Sequence, residues 1–276
     1  MPNIDELKAE LDDALTLKLI SQAFTEAAAS RLAKIRKNFE KNKQFYEEIK
    51  HLYRLVQTNE NKVHAQDKKQ ETEGKNLGVA ITSNQRFYGN INISIMRQFT
   101  EDMKKKDSDV LVIGNTGRDF MKSAEFGRKY EERFFAKDYP SEAESKTFLD
   151  YIKTYKSVYL YYPKFMSLVR QEVGIIDITE ISTSDDKVLE EEVNVLFEPE
   201  LSQIYEFFET QVRALLFLRV MLEADLARTA ARLLTMSGAE ERSDEMIKAK
   251  KLQLRKIQLS ILNTKLLETF SSMVGK

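Results

Sequence analysis

Apolar side chains recur at steps of three, four and seven along the start of the chain. They run from Ile4, Leu7, Leu11, Leu15 and Leu19 through Ala23, Ala27, Leu32 and Ile35 to Tyr46, Tyr53 and Val56. Residues three and four apart share one face of an α-helix, so this spacing predicts a single helix with one apolar stripe. No glycine or proline interrupts it between Ile4 and Gln57. The stripe narrows to alanine at Ala23, Ala27, Ala28 and Ala29, where small side chains would let another helix approach closely. A helix of this length is not held by propensity alone and needs a partner for its stripe.

The far end of the chain repeats the pattern. From Leu201 to Val274 there is one glycine, Gly238, and no proline. Apolar positions run through Ile204, Phe208, Val212, Leu215, Leu218, Leu222, Leu226 and Leu233. They continue at Met246, Ala249, Leu252, Leu259, Leu262, Leu266, Phe270 and Met273. Pro199 suits the first turn of this helix. Ser237-Gly238 marks either a kink or a weak spot. The simplest cover for each stripe is the other, so residues 1–57 and 200–276 are expected to pair as a long antiparallel coiled coil. The C-terminal helix is the longer, about 110 Å at 1.5 Å rise per residue, so part of it should project beyond its partner.

Between the helices the character changes. Residues 58–74 are polar and charged and read as a linker. Leu77–Thr82 and Asp109–Ile113 are short apolar, β-branched runs; Arg133–Tyr139 and Ser157–Tyr162 are two more. Helical patterns lie between them at Ile91–Lys105, Gly117–Ser123 and Ser141–Tyr155, and Met166–Ile178 suggests one or two further strands. Strands alternating with helices predict a Rossmann-like α/β head with a largely parallel sheet, inserted at 75–198. Asp185–Glu192 reads as an acidic loop.

Composition narrows the choice of function. The formal net charge is −1, without the basic excess of a dedicated nucleic-acid binder. There is no cysteine, which excludes disulfides and thiolate metal sites. Met1–Leu11 has no apolar core of a secretory signal, and no stretch is apolar enough to span a membrane, so no direct insertion is expected. His51 and His64 lack any zinc spacing and read as surface histidines. Ile113-Gly114-Asn115-Thr116-Gly117-Arg118 follows a strand and opens a helix, so its N–H groups could cradle a phosphate. It lacks the dinucleotide and P-loop fingerprints, and a plain strand-to-helix turn is the simpler reading. Thr82–Asn92 sits where open parallel sheets bind ligands; an enzyme would use Ser83 as nucleophile, but no base accompanies it. Two basic clusters, around Arg31, Lys34, Arg36, Lys37 and around Lys248, Lys250, Lys251, Arg255, fit a solvated helix face or an acidic partner equally. No cofactor is implied. Read from its residues alone, the chain is an elongated scaffold or mechanical element with an α/β head.

Seven segments in order resemble the gamma subunit of F-type ATP synthases. They are Ile20–Lys34; Thr82, Ser83, Gly89 and Asn92; Val112–Phe120; Lys164-Phe165; Phe197-Glu198-Pro199; Ala230-Ala231-Arg232 with Met236; and Glu268 with Ser271. The family's Asp-Arg-Gly and Cys-Gly in the turn are replaced here by Asn84-Gln85-Arg86 and Tyr88, which marks a divergent member. The resemblance implies a central rotor without a catalytic site, turning inside an α3β3-type hexamer. The head would dock on an epsilon-type subunit and the membrane c-ring, on the cytoplasmic side of the cell membrane. It implies partner contacts at Arg31, Lys34 and Arg36, at Arg255 and Gln258 near the family's catch-loop residues, and at Leu262, Leu266 and Phe270 in a hydrophobic sleeve. Proton coupling, a specialised ATP-driven motor without it, and a non-motor coiled-coil adaptor all remain open at this point.

Overall fold

The computed structural model describes residues 4–63, 74–124, 126–179 and 201–274. Part of the expected linker, the Asp185–Glu192 loop and the Phe197-Glu198-Pro199 segment lie outside them. Helix α1 (Ile4–Val63) opens the chain and helix α5 (Leu201–Val274) closes it. Between them lie β1 (Asn76–Ile81), α2 (Ile91–Lys105), β2 (Ser108–Ile113), α3 (Asn115–Ser123), β3 (Glu131–Arg133), α4 (Glu142–Ile152), β4 (Val158–Phe165) and β5 (Gln171–Asp177). The chain divides into two compact units, Met1–Ser30 with Arg232–Lys276, and Arg31–Ala231.

In the first unit α1 and α5 run antiparallel. Glu10 pairs with Lys250, Lys18 with Asp244 at 2.7 Å, and Gln22 with Glu240 at 2.9 Å. The buried seam of α1 is Leu7, Ala14, Ser21 and Ala28, at a strict seven-residue interval. The expected stripe at Leu15, Leu19, Ala23 and Ala27 is exposed instead. The reason is geometric: each step of four overshoots a turn by about 40°, so a run of fours spirals off the seam, whereas sevens stay nearly on it. Small residues at the seam also allow the close approach, and their weak hydropathy hid it. On α5, Met236, Ser243 and Ile247 are buried, while Met246 and Ala249 of the expected stripe are exposed. The helix passes through Ser237-Gly238 unbroken.

The second unit holds the sheet, in the order β3-β2-β1-β4-β5. All pairings are parallel except β4 with β5, a hairpin in which Leu160 faces Ile176. Alternation along the strands feeds two cores. Leu77, Val79, Ile81, Leu111, Ile113 and Leu160 face α4 and α5, meeting Phe148, Val212, Phe217 and Val220. Ala80, Val110, Val112 and Tyr161 face α2, meeting Ile95, Met96, Phe99 and Met103. Burial on both faces is why these strands read as continuous apolar runs. Gly78 is part of that fit, because a Cβ there would lie 2.3 Å from Met103 Sδ.

The third strand is the element the sequence misplaced. It ends at Arg133, so the expected strand at Arg133–Tyr139 is largely a loop. Within it Asp138 turns inward to accept hydrogen bonds, and Pro140, just after it, could not donate to a ladder. Ser141 then starts α4 with a capping box closed by Glu144.

Candidate functional site

The strand order reverses beside β1, which carries β2 on one side and β4 on the other. In a doubly wound sheet, ligands bind at the carboxyl end of such a strand. Here that end is filled by the chain's own groups. Ser83 is fully buried; its Oγ donates to Gln85 O at 2.8 Å and accepts from Asn92 Nδ2 at 2.8 Å. No general base stands within hydrogen-bond reach among the described residues, so Ser83 is a turn residue. Phe87, with φ 70°, and Gly89, with φ 58°, take the left-handed conformations that close the turn.

The Gly114–Arg118 turn is equally occupied. Gly114 N donates to Arg133 O, Asn115 N to Asn84 Oδ1, Thr116 N to Ser83 O, Gly117 N to Thr82 Oγ1 and Arg118 N to Gly114 O. With each N–H taken, no cradle for a phosphate is left. The glycines serve packing. Gly114 has φ 101°, and a Cβ there would lie 2.9 Å from the Thr82 carbonyl.

Behind this turn, still within the unit 31–231, lies a group of four charges, of which Arg228, Asp138 and Asp225 are buried and Arg31 is half exposed. Arg228 of α5 is fully buried and donates from Nη2 to Asp138 O at 2.8 Å. Its Nε and Nη1 meet no protein acceptor among the described residues. The Asp138 carboxylate accepts from Asn84 N and from Tyr88 Oη, each at 2.6 Å. One turn of α5 before Arg228, Asp225 takes Arg31 of α1, whose Nη2 lies 2.9 and 3.0 Å from its oxygens. Burial pushes the Arg228 guanidinium below its ordinary value, while Asp225 and Asp138 oppose that shift. Burial also lowers Arg31, but Asp225 outweighs it and the net shift is upward. Two cations and two carboxylates balance, which is the condition for keeping charge inside a protein. Nearby, Tyr162 of β4 donates to Glu223 at 3.2 Å, and burial raises the Glu223 carboxyl above its usual range.

The residues singled out from the sequence fall into two groups. Arg31 is engaged with Asp225, whereas Lys34 and Arg36 are exposed on α1. Arg255 and Gln258 are exposed on α5, as are Leu262, Leu266 and Phe270 at 55, 49 and 63%. From Gln258 to Met273 every residue is exposed. Sequence reasoning missed Asp138, Asp225 and Arg228. The available signal was the run Glu223-Ala-Asp-Leu-Ala-Arg228, charges one turn apart among alanines in a helix that had to be buried. Among the described residues no cluster of metal-ligating side chains forms, and no helix is long and apolar enough to cross a membrane.

Three comparisons bear on this arrangement. A family model described as ATP synthase matches residues 3–273. The ATP synthase gamma chain of Clostridium botulinum (strain Okra / Type B1) is 26% identical over 278 aligned positions, covering 95% of this chain and 94% of that one. That of Clostridium novyi (strain NT) is 23% identical, with the same coverage of each chain. Among solved structures, a chain of the Tetrahymena thermophila mitochondrial ATP synthase central stalk and c-ring superposes with TM-score 0.57 at 18% identity. It covers 80% of this chain and 99% of that one. A chain of the Euglena gracilis mitochondrial ATP synthase rotor gives TM-score 0.52 at 16% identity, covering 85% and 99%.

Proposed function

The chain belongs to the gamma-chain family of ATP synthases, and from that premise we propose that its paired helices are the shaft of a rotary ATPase and its sheet the head. It is the rotor component of the central stalk and carries no catalytic site of its own. The shaft comprises 1–57 and 200–276, and the head 75–198. One observation carries the reading: the end of α5, which carries four leucines with Ile261 and Phe270, is exposed throughout from Gln258 to Met273. A helix end of that composition, left bare by the described residues, fits a hydrophobic sleeve supplied by a ring of other subunits.

The mechanism follows from asymmetry. A rod that presents a different face to each of three catalytic subunits makes their conformations and nucleotide affinities differ. Turning the rod moves each subunit through the states in order, and hydrolysis drives the reverse. The rod shifts populations by differential contact and does no chemistry. Leu262, Leu266 and Phe270 form the bearing surface. Arg255 and Gln258 reach loops of the ring, and Lys34 and Arg36 face acidic surface on it. Arg31, held by Asp225, adds charge to that face from a fixed position. The head docks on an epsilon-type subunit and the membrane c-ring, on the cytoplasmic side, with rotation coupled to proton movement.

Reconstitution tests this reading. The purified chain alone is expected to show no ATP turnover, and to restore rotation-coupled hydrolysis to a catalytic hexamer lacking its own shaft. Turnover by the isolated chain, or no effect on the hexamer, would overturn it.

A further inference from the structure

Torque is useful only if the head turns with the shaft, so the junction of α5 with the head must resist twist. Within the unit 31–231, α5 is buried on all sides from Glu223 to Ala231. Alanines and threonine make up much of that stretch, and small side chains alone give a smooth surface with little resistance to sliding. The groups that interlock are polar. Arg228 reaches the backbone of the β3–α4 loop at Asp138 O. The Asp138 carboxylate grips the β1–α2 turn through Asn84 N and Tyr88 Oη. Asp225 grips α1 through Arg31. Buried charges are no more stabilising than well-packed apolar side chains would be, yet the hydrogen bonds of Arg228, Asp138 and Asp225 are directional, so they fix geometry where small apolar side chains would not.

We propose that Arg228, with Asp138, Asp225 and Arg31, is a positioning clasp that locks two loops of the head and helix α1 to α5, so that rotation of the shaft reaches the head without slip. This inference rests on the rotor reading above. Arg228 touches no nucleotide and acts by holding the head. Its guanidinium is suited to this, since the planar fork fixes direction in a way an ammonium does not.

The chain has no cysteine, so Lys122→Cys, at an exposed site near the end of α3, gives a single attachment point on the head. A bead fixed there reports angular fluctuation of the head while the assembled catalytic ring is immobilised and the motor is paused. The wild-type complex must first show ATP-driven rotation; if it does not, the rotor reading fails, and the clasp with it. In Arg228→Met the angular variance is expected to rise at least about twofold, with ATP hydrolysis by the complex unchanged, because the β3–α4 loop loses its hydrogen bond to α5 at Asp138 O. Arg228→Lys, which keeps the charge, is expected to fall between the two. Should Arg228→Met fail to fold, Tyr88→Phe removes only the hydroxyl that Asp138 accepts and is expected to raise the variance in the same direction. Equal variance in wild type and in a folded variant would overturn the clasp, as would a rise in variance matched by an equal loss of hydrolysis.

Discussion

Helix α5 contains two stretches whose composition and burial are reversed. Glu223–Ala231 holds three charged residues, a threonine and several alanines, and it is wholly buried. Gln258–Met273 holds Leu259, Ile261, Leu262, Leu266, Leu267 and Phe270, and it is wholly exposed. The difference separates two kinds of demand. The first stretch is enclosed by the chain's own elements: its charges have opposite charges nearby, and small side chains let neighbours close in. The second has unmet needs, and an apolar surface of that extent is what a partner covers.

Substitutions should break the contrast in opposite ways. Arg228→Ala removes the buried cation that offsets Asp138, while Asp225 keeps Arg31, and empties a fully buried site; it is expected to cost about 3–5 kcal/mol of unfolding free energy in denaturant titration of the isolated chain. Leu262→Ala or Phe270→Ala is expected to change that free energy by less than about 0.5 kcal/mol, since the sites are exposed, while lowering hydrolysis by the assembled complex. A reversed pattern would end the distinction.

The seam offers a smaller test. Ala28→Leu forces bulk between the helices, for an expected loss of about 1–3 kcal/mol. Ala27→Leu, one position away on an exposed face, should be within about 0.5 kcal/mol of wild type by the same melting experiment. Equal effects would return the seam to the run of fours.

Charge reversal at Lys34 and Arg36 is expected to leave the fold intact and to lower coupled turnover of the complex. The loss should shrink as salt is raised from low to high ionic strength. Salt-independent turnover would remove these residues from the interface.

The smallest effect concerns Glu223. Its carboxyl is raised in the folded state by burial, so the native protein binds its proton more tightly than the unfolded chain does. That contribution to stability is therefore full below the unfolded pKa and lost as pH rises through the higher folded value. Glu223→Gln should flatten this dependence, measured as midpoint against pH, and should be stabilised relative to wild type at the alkaline end.

What the sequence made legible follows from the range of each interaction. Leu77–Thr82 and Asp109–Ile113 were readable as strands because both faces of the sheet are covered, which leaves a continuous apolar run. The exposed end of α5 was readable as an overhang because its helix outlasts α1 as a partner. The seam was obscured because Ala14, Ser21 and Ala28 carry little hydropathy, while exposed Leu15 and Leu19 carry much. The clasp was out of reach for another reason. Arg31 and Asp225 lie 194 positions apart, and Asp138 and Arg228 lie 90 apart, so only the fold brings them together. Glycines at Gly114 and Gly117 suggested an anion site, but their backbone N–H groups were already claimed by Arg133 and Thr82.

The central claim is that the bare end of α5 is a surface completed by a ring of ATPase subunits. With no native cysteine to interfere, Leu262→Cys can be labelled with a thiol reagent in the free chain and after assembly with the catalytic hexamer. The account predicts fast labelling of the free chain and strong protection in the complex. Equal labelling rates in the two would contradict it.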